Sequence, residues 1–379
     1  MIVRIAIRNL CHDRFRAATA VAGIAFAVLL AVLQIGILEG ASRDSSGVID
    51  HARADVWVLS ANTATFDFGL PMPERRFYRV LATPGVDRAE RVALALGQWR
   101  TADGRQQNVV VVGIEPDAEL VGPWGPIEGR LGRIREEGGI VIDQRERDRF
   151  GPRGARLDLG DALEINGRRA TVVAFSRDVG SFTTGPYVFT SIDNAHAFAE
   201  DLRADQITYV VARARAGVGA AELARRLGGI ADAEAIPAGE FSHRTRLHWI
   251  YGTGVGQGTL FTAVLGLVVG LVVVGQTIYT MTAERRREYG TLKAIGCSGP
   301  ALGGIVLVQA SALGFAGYVV GLVAAVGVRH AVSIQGISIL VTERIAAVAL
   351  GLTVVLCAAA SISSILLLLR LEPAMVFQV

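Results

Sequence analysis

The sequence has almost no lysine: of its 38 basic residues only Lys293 is lysine, and the rest are arginine. A Walker A loop needs a lysine directly after its glycines to reach the nucleotide phosphates. The residues around Lys293 do not have that form, so P-loop hydrolysis of ATP by this chain alone is excluded. Cysteine is scarce too: Cys11 and Cys297 flank apolar runs, Cys357 lies inside one, and none falls between residues 41 and 251. That stretch therefore has no disulfide framework and has to be held by an ordinary core. The net charge is only +3 and no polybasic run is present, so a nucleic-acid partner is not expected.

Apolar residues, in contrast, are abundant. They make up 51% of the chain, with a mean hydropathy of +0.41, which is too apolar for a soluble protein of 379 residues. Residues 17–38 carry no charge, and roughly 22 residues at 1.5 Å each cross a hydrocarbon core. The run is longer than a signal-peptide core and no small-residue cleavage site follows, so an uncleaved anchor is expected over residues 17–40. Further spans are predicted at 256–280, 301–328 and 345–369. Before the first span, residues 1–16 alternate Arg4, Arg8, Arg14 and Arg16 with Ile2, Ile5, Ile7, Leu10 and Phe15, a pattern suited to an interfacial helix.

Residues 41–255 are polar, mixed in charge and rich in turn signals, enough chain to bury a core. A strand is expected at 55–60, a helix near 73–81 and strands at 92–100 and 108–114. Towards the end, 207–213 reads as a strand, 218–227 as a helix and a short strand follows into Ile236. Two strand-helix-strand units with other material between them predict a split α+β domain. The material between, residues 129–191, is expected to be a β-rich insertion. It contains strands 162–165 and 168–175 joined by Asn166-Gly167, the dipeptide that best supplies two positive φ angles to a tight hairpin.

Short flanks of the spans place Arg4, Arg8, Arg14, Arg16, Arg285, Arg286, Arg287, Lys293 and Arg370 on one side, against Arg329 and Arg344 on the other. The positive-inside rule then puts both termini (1–16 and 370–379) and residues 281–300 in the cytoplasm, and the large domain and the short loop 329–344 outside. Gly266 and Gly270 form GxxxG in the second span and Gly317 and Gly321 in the third. Small residues four apart let helices approach closely, within a bundle or between copies.

Few residues carry chemistry. Gly252, Gly254, Gly256 and Gly258 follow no strand and precede no lysine, so a juxtamembrane hinge is expected rather than a nucleotide loop. His243 and His248 are five apart, which separates them around a helix, and no metal site is expected. The run 143–149 (DQRERDR) alternates charge like a solvated face. No nucleophile-base arrangement stands out in the large domain, and no cofactor is expected on this chain.

The most distinctive stretch is 281–300, MTAERRREYGTLKAIGCSGP. Read as a helix it sets Glu284 and Glu288 one turn apart, where they repel. Its charges are therefore expected to serve an external surface. This segment resembles the cytoplasmic loop of ABC transporter permeases of the MacB/FtsX superfamily, at Glu284, Arg285, Glu288, Gly290, Leu292, Lys293, Ala294 and Gly296. Gln276, Thr277, Tyr279 and Tyr289 are closest to the DevC-type branch, and the likeness continues at 21–30 (VAGIAFAVLL), 34–36, 97–100 (GQWR) and Glu372-Pro373-Ala374.

The resemblance implies four transmembrane helices, with a MacB-like periplasmic α+β core domain between the first and second. It implies a permease of type VII, paired with a second permease copy, a homodimer being expected. A separate ATPase subunit carrying ATP and magnesium would bind Glu284, Arg285, Arg287, Glu288, Tyr289, Gly290, Leu292, Lys293 and Gly296. With about sixteen residues before the first span, the ATPase domain is expected on another chain. A membrane-fusion adaptor, an outer-membrane duct in double-membrane cells, export of envelope or glycolipid-like cargo and an inner-membrane location are implied as well. The alternative is an FtsX-like mechanotransmitter that regulates a cell-wall hydrolase and moves no cargo.

Overall fold

The computed structural model describes residues 6, 8, 10, 13–101, 104–147, 151, 156–181, 185–333 and 339–370. It divides into two compact units, residues 1–40 with 255–379 and residues 41–254.

Among the described residues, four helices are long and apolar enough to cross a membrane: α1 (Arg14–Ser45), then α7 (Gly254–Glu284), α9 (Gly299–Ser333) and α10 (Glu343–Leu369). Each predicted span lies inside one of them. Gly254, Gly256 and Gly258 are not a loop but the opening turns of α7; the helical chain breaks at Thr253, which is extended (φ −115°, ψ 160°) and follows a π-helical turn over His248–Gly252. Of the expected interfacial helix 1–16, residues 6, 8 and 10 are helical, with Ala6 buried, Leu10 packed against the bundle core and Arg8 exposed. Arg4 and Glu372-Pro373-Ala374 lie outside the described residues.

The glycine pairs pack within this bundle. A Cβ on Gly317 would come within 2.5 Å of Ile24 Cβ, and one on Gly270 within 2.6 Å of Ala27 Cβ. Gly321 meets Val28 and Gly266 meets Leu30 in the same way. The second and third spans thus both close onto α1, and these glycines serve contacts inside the chain.

In the large unit, β1 (Val56–Ser60), α3 (Arg75–Leu81) and β3 (Val86–Arg100) form one βαβ unit, and β11 (Tyr209–Ala214), α5 (Ala220–Leu227) and β12 (Ala233–Pro237) the other. They interleave in the order β12-β1-β11-β3, each neighbour antiparallel. This is the split βαβ arrangement expected from the sequence. β3 runs on for 15 residues, and its second half pairs with β4 (Gln106–Ile114). From there β9 (Tyr187–Ser191), β6 (Gly139–Asp143), β8 (Arg168–Ser176) and β5 (Glu128–Gly129) extend the same sheet, and β7 (Ala162–Ile165) bridges β3 and β8. The β-rich stretch therefore continues one ten-stranded sheet instead of forming a separate β-subdomain. The β7–β8 hairpin turns at Asn166 and Gly167 with φ 46° and 75°, as their sequence demands.

Alternation along the strands sends side chains to two cores. From β1, Trp57 and Leu59 join Tyr209, Val211, Phe66 and Phe241 on the face covered by α2 (Gly47–His51) and α6 (Ala238–Leu247). Val56 and Val58 join Val80, Leu223 and Leu227 under α3 and α5. Further along that second face, α4 (Ile192–Phe198) buries Ile192, Ala195 and Phe198 against Ala93, Trp99 and Val111. The run at 143–149 is not wholly solvated: Asp143 is buried and accepts hydrogen bonds from the backbone N–H of Arg145 (2.9 Å) and Val179 (2.7 Å), while 148–149 lie outside the described residues.

Candidate coupling site

The loop between the second and third spans folds as a short helix, α8 (Arg286–Ala294), separated from α7 by a break at Arg285 (φ −94°, ψ 18°). The break places Glu284 and Glu288 on different helices rather than one turn apart on a continuous one. Glu284, the last residue of α7, pairs with Arg16 near the start of α1, and Arg16 also lies 3.3 Å from Asp13. Arg285 Nη1 donates to Glu288 at 3.3 Å. Lys293 Nζ donates to the carbonyl of Leu369 at the end of the fourth span, 3.2 Å away. Several charges expected to await an outside surface are thus bonded within the chain.

Gly296 stops α8 through its backbone. Its φ is +103°; its N–H donates to the Lys293 carbonyl at 3.1 Å and the Cys297 N–H to the Leu292 carbonyl at 2.9 Å. These two bonds form a Schellman motif, which glycine adopts without the steric penalty of a Cβ.

The helix has two faces. Tyr289 is 2% exposed and Leu292 packs against the same bundle cluster, with Gly290 buried between them in sequence. Opposite them, Arg286, Arg287, Glu288, Thr291 and Ala294 are exposed, and Ile295 just beyond is 80% exposed. Of the sequence-predicted site residues, Arg287 and Glu288 are therefore outward, Tyr289, Gly290 and Leu292 face the bundle, and Glu284, Arg285 and Lys293 make intrachain bonds. Arg286 and Ile295 join the outward face. The helical period puts Arg285, Glu288, Leu292 and Ile295 on one stripe, and burial separates it into inward and outward members.

A second polar cluster ties the segments where the large unit begins and ends. Asp50 on α2 accepts from Ser242 (2.6 Å), Ser46 (2.7 Å) and Arg246 Nη2 (2.5 Å), and Arg246 Nε donates to Ser46 (2.8 Å). Burial alone would raise the Asp50 carboxyl. The hydrogen bonds from Ser242, Ser46 and Arg246, with the Arg246 charge, outweigh it and hold the pKa below the ordinary carboxylate value. The clamp thus stays ionised near neutrality. Among the described residues no group of three or more His, Cys, Asp or Glu side chains is placed to hold a metal ion.

Residues 17–230 match the family model of the MacB-like periplasmic core domain, and residues 260–373 that of the FtsX-like permease C-terminal region. The chain belongs to the MacB/FtsX superfamily of ABC transporter permeases. As such it is a membrane permease subunit that works in a complex with an ATPase partner.

Among solved structures, the permease is similar to the periplasmic region of MacB from Actinobacillus actinomycetemcomitans (9% identity, 51% of this chain and 92% of that one, TM-score 0.37). It is similar to the extracellular domain of the noncanonic ABC-type transporter YknZ from Gram-positive bacteria (11% identity, 48% and 98%, TM-score 0.34). A domain of a putative permease protein from Porphyromonas gingivalis also matches (16% identity, 48% and 88%, TM-score 0.31). No curated protein matches the sequence.

Proposed function

We propose that this permease is a mechanical transmitter of the DevC type, in which α8 is the seat of the ATPase. The observation that carries the reading is the two-faced construction of α8: an outward face of Arg286, Arg287, Glu288 and Ile295 on a helix whose inner face, Tyr289 and Leu292, is packed into the bundle. A helix seated in this way moves as a body with the elements it touches, and packed helices shift between discrete arrangements rather than deforming continuously. Lys293 bonded to Leu369 ties α8 to the fourth span, and Glu284 paired with Arg16 ties the end of α7, just before α8, to the first span. ATP and magnesium belong to the partner chain, and closure of a pair of ATPases displaces α8 in each of two permease copies.

In this reading α8 and both termini are cytoplasmic, the membrane is the inner membrane, and the large domain acts outside on a membrane-fusion adaptor to export envelope or glycolipid-like cargo. The charge bias of the short flanks supports that orientation. A cell-wall hydrolase regulator would use the same lever without cargo.

The test is the double variant Arg287→Glu, Glu288→Arg in the complex isolated with its native partners. Its altered residues are exposed and leave the bundle core untouched, so membrane insertion and folding remain, while co-purification of the ATPase and export are lost. Retained ATPase binding with full export would sink the assignment. Copurification of a hydrolase activator in place of an adaptor would select the regulatory reading.

A further inference from the structure

Between β1 and β2 (Met72–Pro73) the chain makes a loop, residues 61–71, whose single charged residue, Asp67, is buried. Phe68 and Leu70 on it are 47% and 48% exposed. The exposure is not slackness. The Tyr209 hydroxyl donates to the Phe66 carbonyl (2.6 Å), and the Tyr187 hydroxyl donates to Asp67 Oδ1 (2.7 Å). Gly69 lies so close to the sheet that a Cβ there would come within 2.3 Å of the Tyr209 hydroxyl. The backbone is pinned on both sides of Phe68, and the two apolar side chains are held outward. About half of each side chain is left in solvent, an apolar exposure that costs free energy.

The loop lies beside the point where the chain leaves this unit for the bilayer. The Phe68 ring is 6.0 Å from that of Trp249, and Trp249 precedes Gly254, the first residue of the second span, by five positions. Five residues reach at most about 18 Å even when extended, and the π-helical turn at 248–252 shortens them. Ser46, which directly follows α1, is bonded to Arg246 at 2.8 Å, so the other crossing of the chain converges on the same end of the unit. Trp249 and the 71% exposed Tyr251 are of the residue types that gather at the headgroup level. Behind the loop, a pocket of about 260 Å³ is lined by Leu94, Leu96 and Leu202 together with the loop, and by Glu200 and Asp201. Hydrocarbon lining beside carboxylates fits a neutral or zwitterionic lipid better than an anionic one.

We infer that the 61–71 loop is a membrane-contact element of the large domain, with Phe68 and Leu70 resting in the headgroup–acyl boundary of a zwitterionic leaflet beside the start of the second span.

The inference is tested with the full chain in phosphatidylcholine nanodiscs, carrying a nitroxide at Phe68→Cys or, separately, Leu70→Cys. The reference label is at Ala216→Cys, an exposed site in the turn after β11, which starts at the loop with Tyr209 and runs away from it. Relative to Ala216, the labels at 68 and 70 gain collisions with oxygen and lose collisions with a water-soluble nickel chelate. Collision rates equal to those at Ala216 would overturn the inference. So would protection from both reagents, which would mean that a second copy of the chain covers the loop. Both sites are exposed, and agreement between the two labels guards against a local effect of either substitution.

Discussion

The two units of this permease are packed by different means. The large unit fills its centre with big side chains: Trp57 meets Phe66 and Tyr209 edge-on at 5.8 and 5.5 Å and Phe241 at 5.6 Å. The bundle closes instead by removing side chains, with Gly266, Gly270, Gly317 and Gly321 against α1. The buried hydroxyls of Thr282, Thr353 and Ser361 turn back on their own helices, Ser361 to the Cys357 carbonyl at 2.6 Å. Water explains the contrast. Aromatic burial is driven by leaving water, whereas between helices in lipid that drive is absent and close backbone approach has to supply the attraction.

If that contrast is right, adding volume and removing volume have opposite consequences in the two units. The largest effect is expected for Gly317→Val, whose new methyls enter the space of Ile24 and approach the Val21 carbonyl, 3.1 Å from the Cβ position. The bundle then fails to assemble, seen as loss of monodisperse protein on extraction; a wild-type elution profile would break the comparison. Trp57→Ala opens the aromatic cluster and is expected to cost ~3–5 kcal/mol. Limited proteolysis would then cut the large unit while the spans stay intact, and simultaneous cleavage of both would show that the two units are one cooperative body.

The smallest effect concerns pH. Because the folded Asp50 carboxyl is held below its unfolded value, its clamp contributes in full above the ordinary carboxylate pKa and is lost as pH falls through the lowered folded value. Hydrogen exchange in α2 and α6 is therefore expected to rise on acidification through that range and to be already raised, and less dependent on pH, in Asp50→Asn. An unchanged pH profile in the variant would remove the clamp from the account.

The spans and the two βαβ units were legible because both rest on local pattern: length and hydropathy for the helices, period-two alternation for strands. Asn166-Gly167 was legible for the same reason, since a turn is chosen by its own two residues. What escaped depends on distant partners. Glu284 looked like half of a repulsive pair until Arg16, 268 positions earlier, was found beside it. Asp143 looked solvated because its partners are backbone N–H groups, which no sequence pattern marks. The outward face of α8 was half legible: Arg287 and Glu288 were singled out, but that Leu292 faces the bundle rests on its own packing against the bundle cluster.

One consequence follows from the bond between Lys293 and the Leu369 carbonyl. With a single ε-amine in 379 residues, an amine-directed reagent or a cross-linker finds one side-chain address, and it lies on α8. If α8 is the seat of the ATPase as proposed, a dye placed there reports movement of the helix without mutagenesis, and its protection registers whether the ATPase is docked.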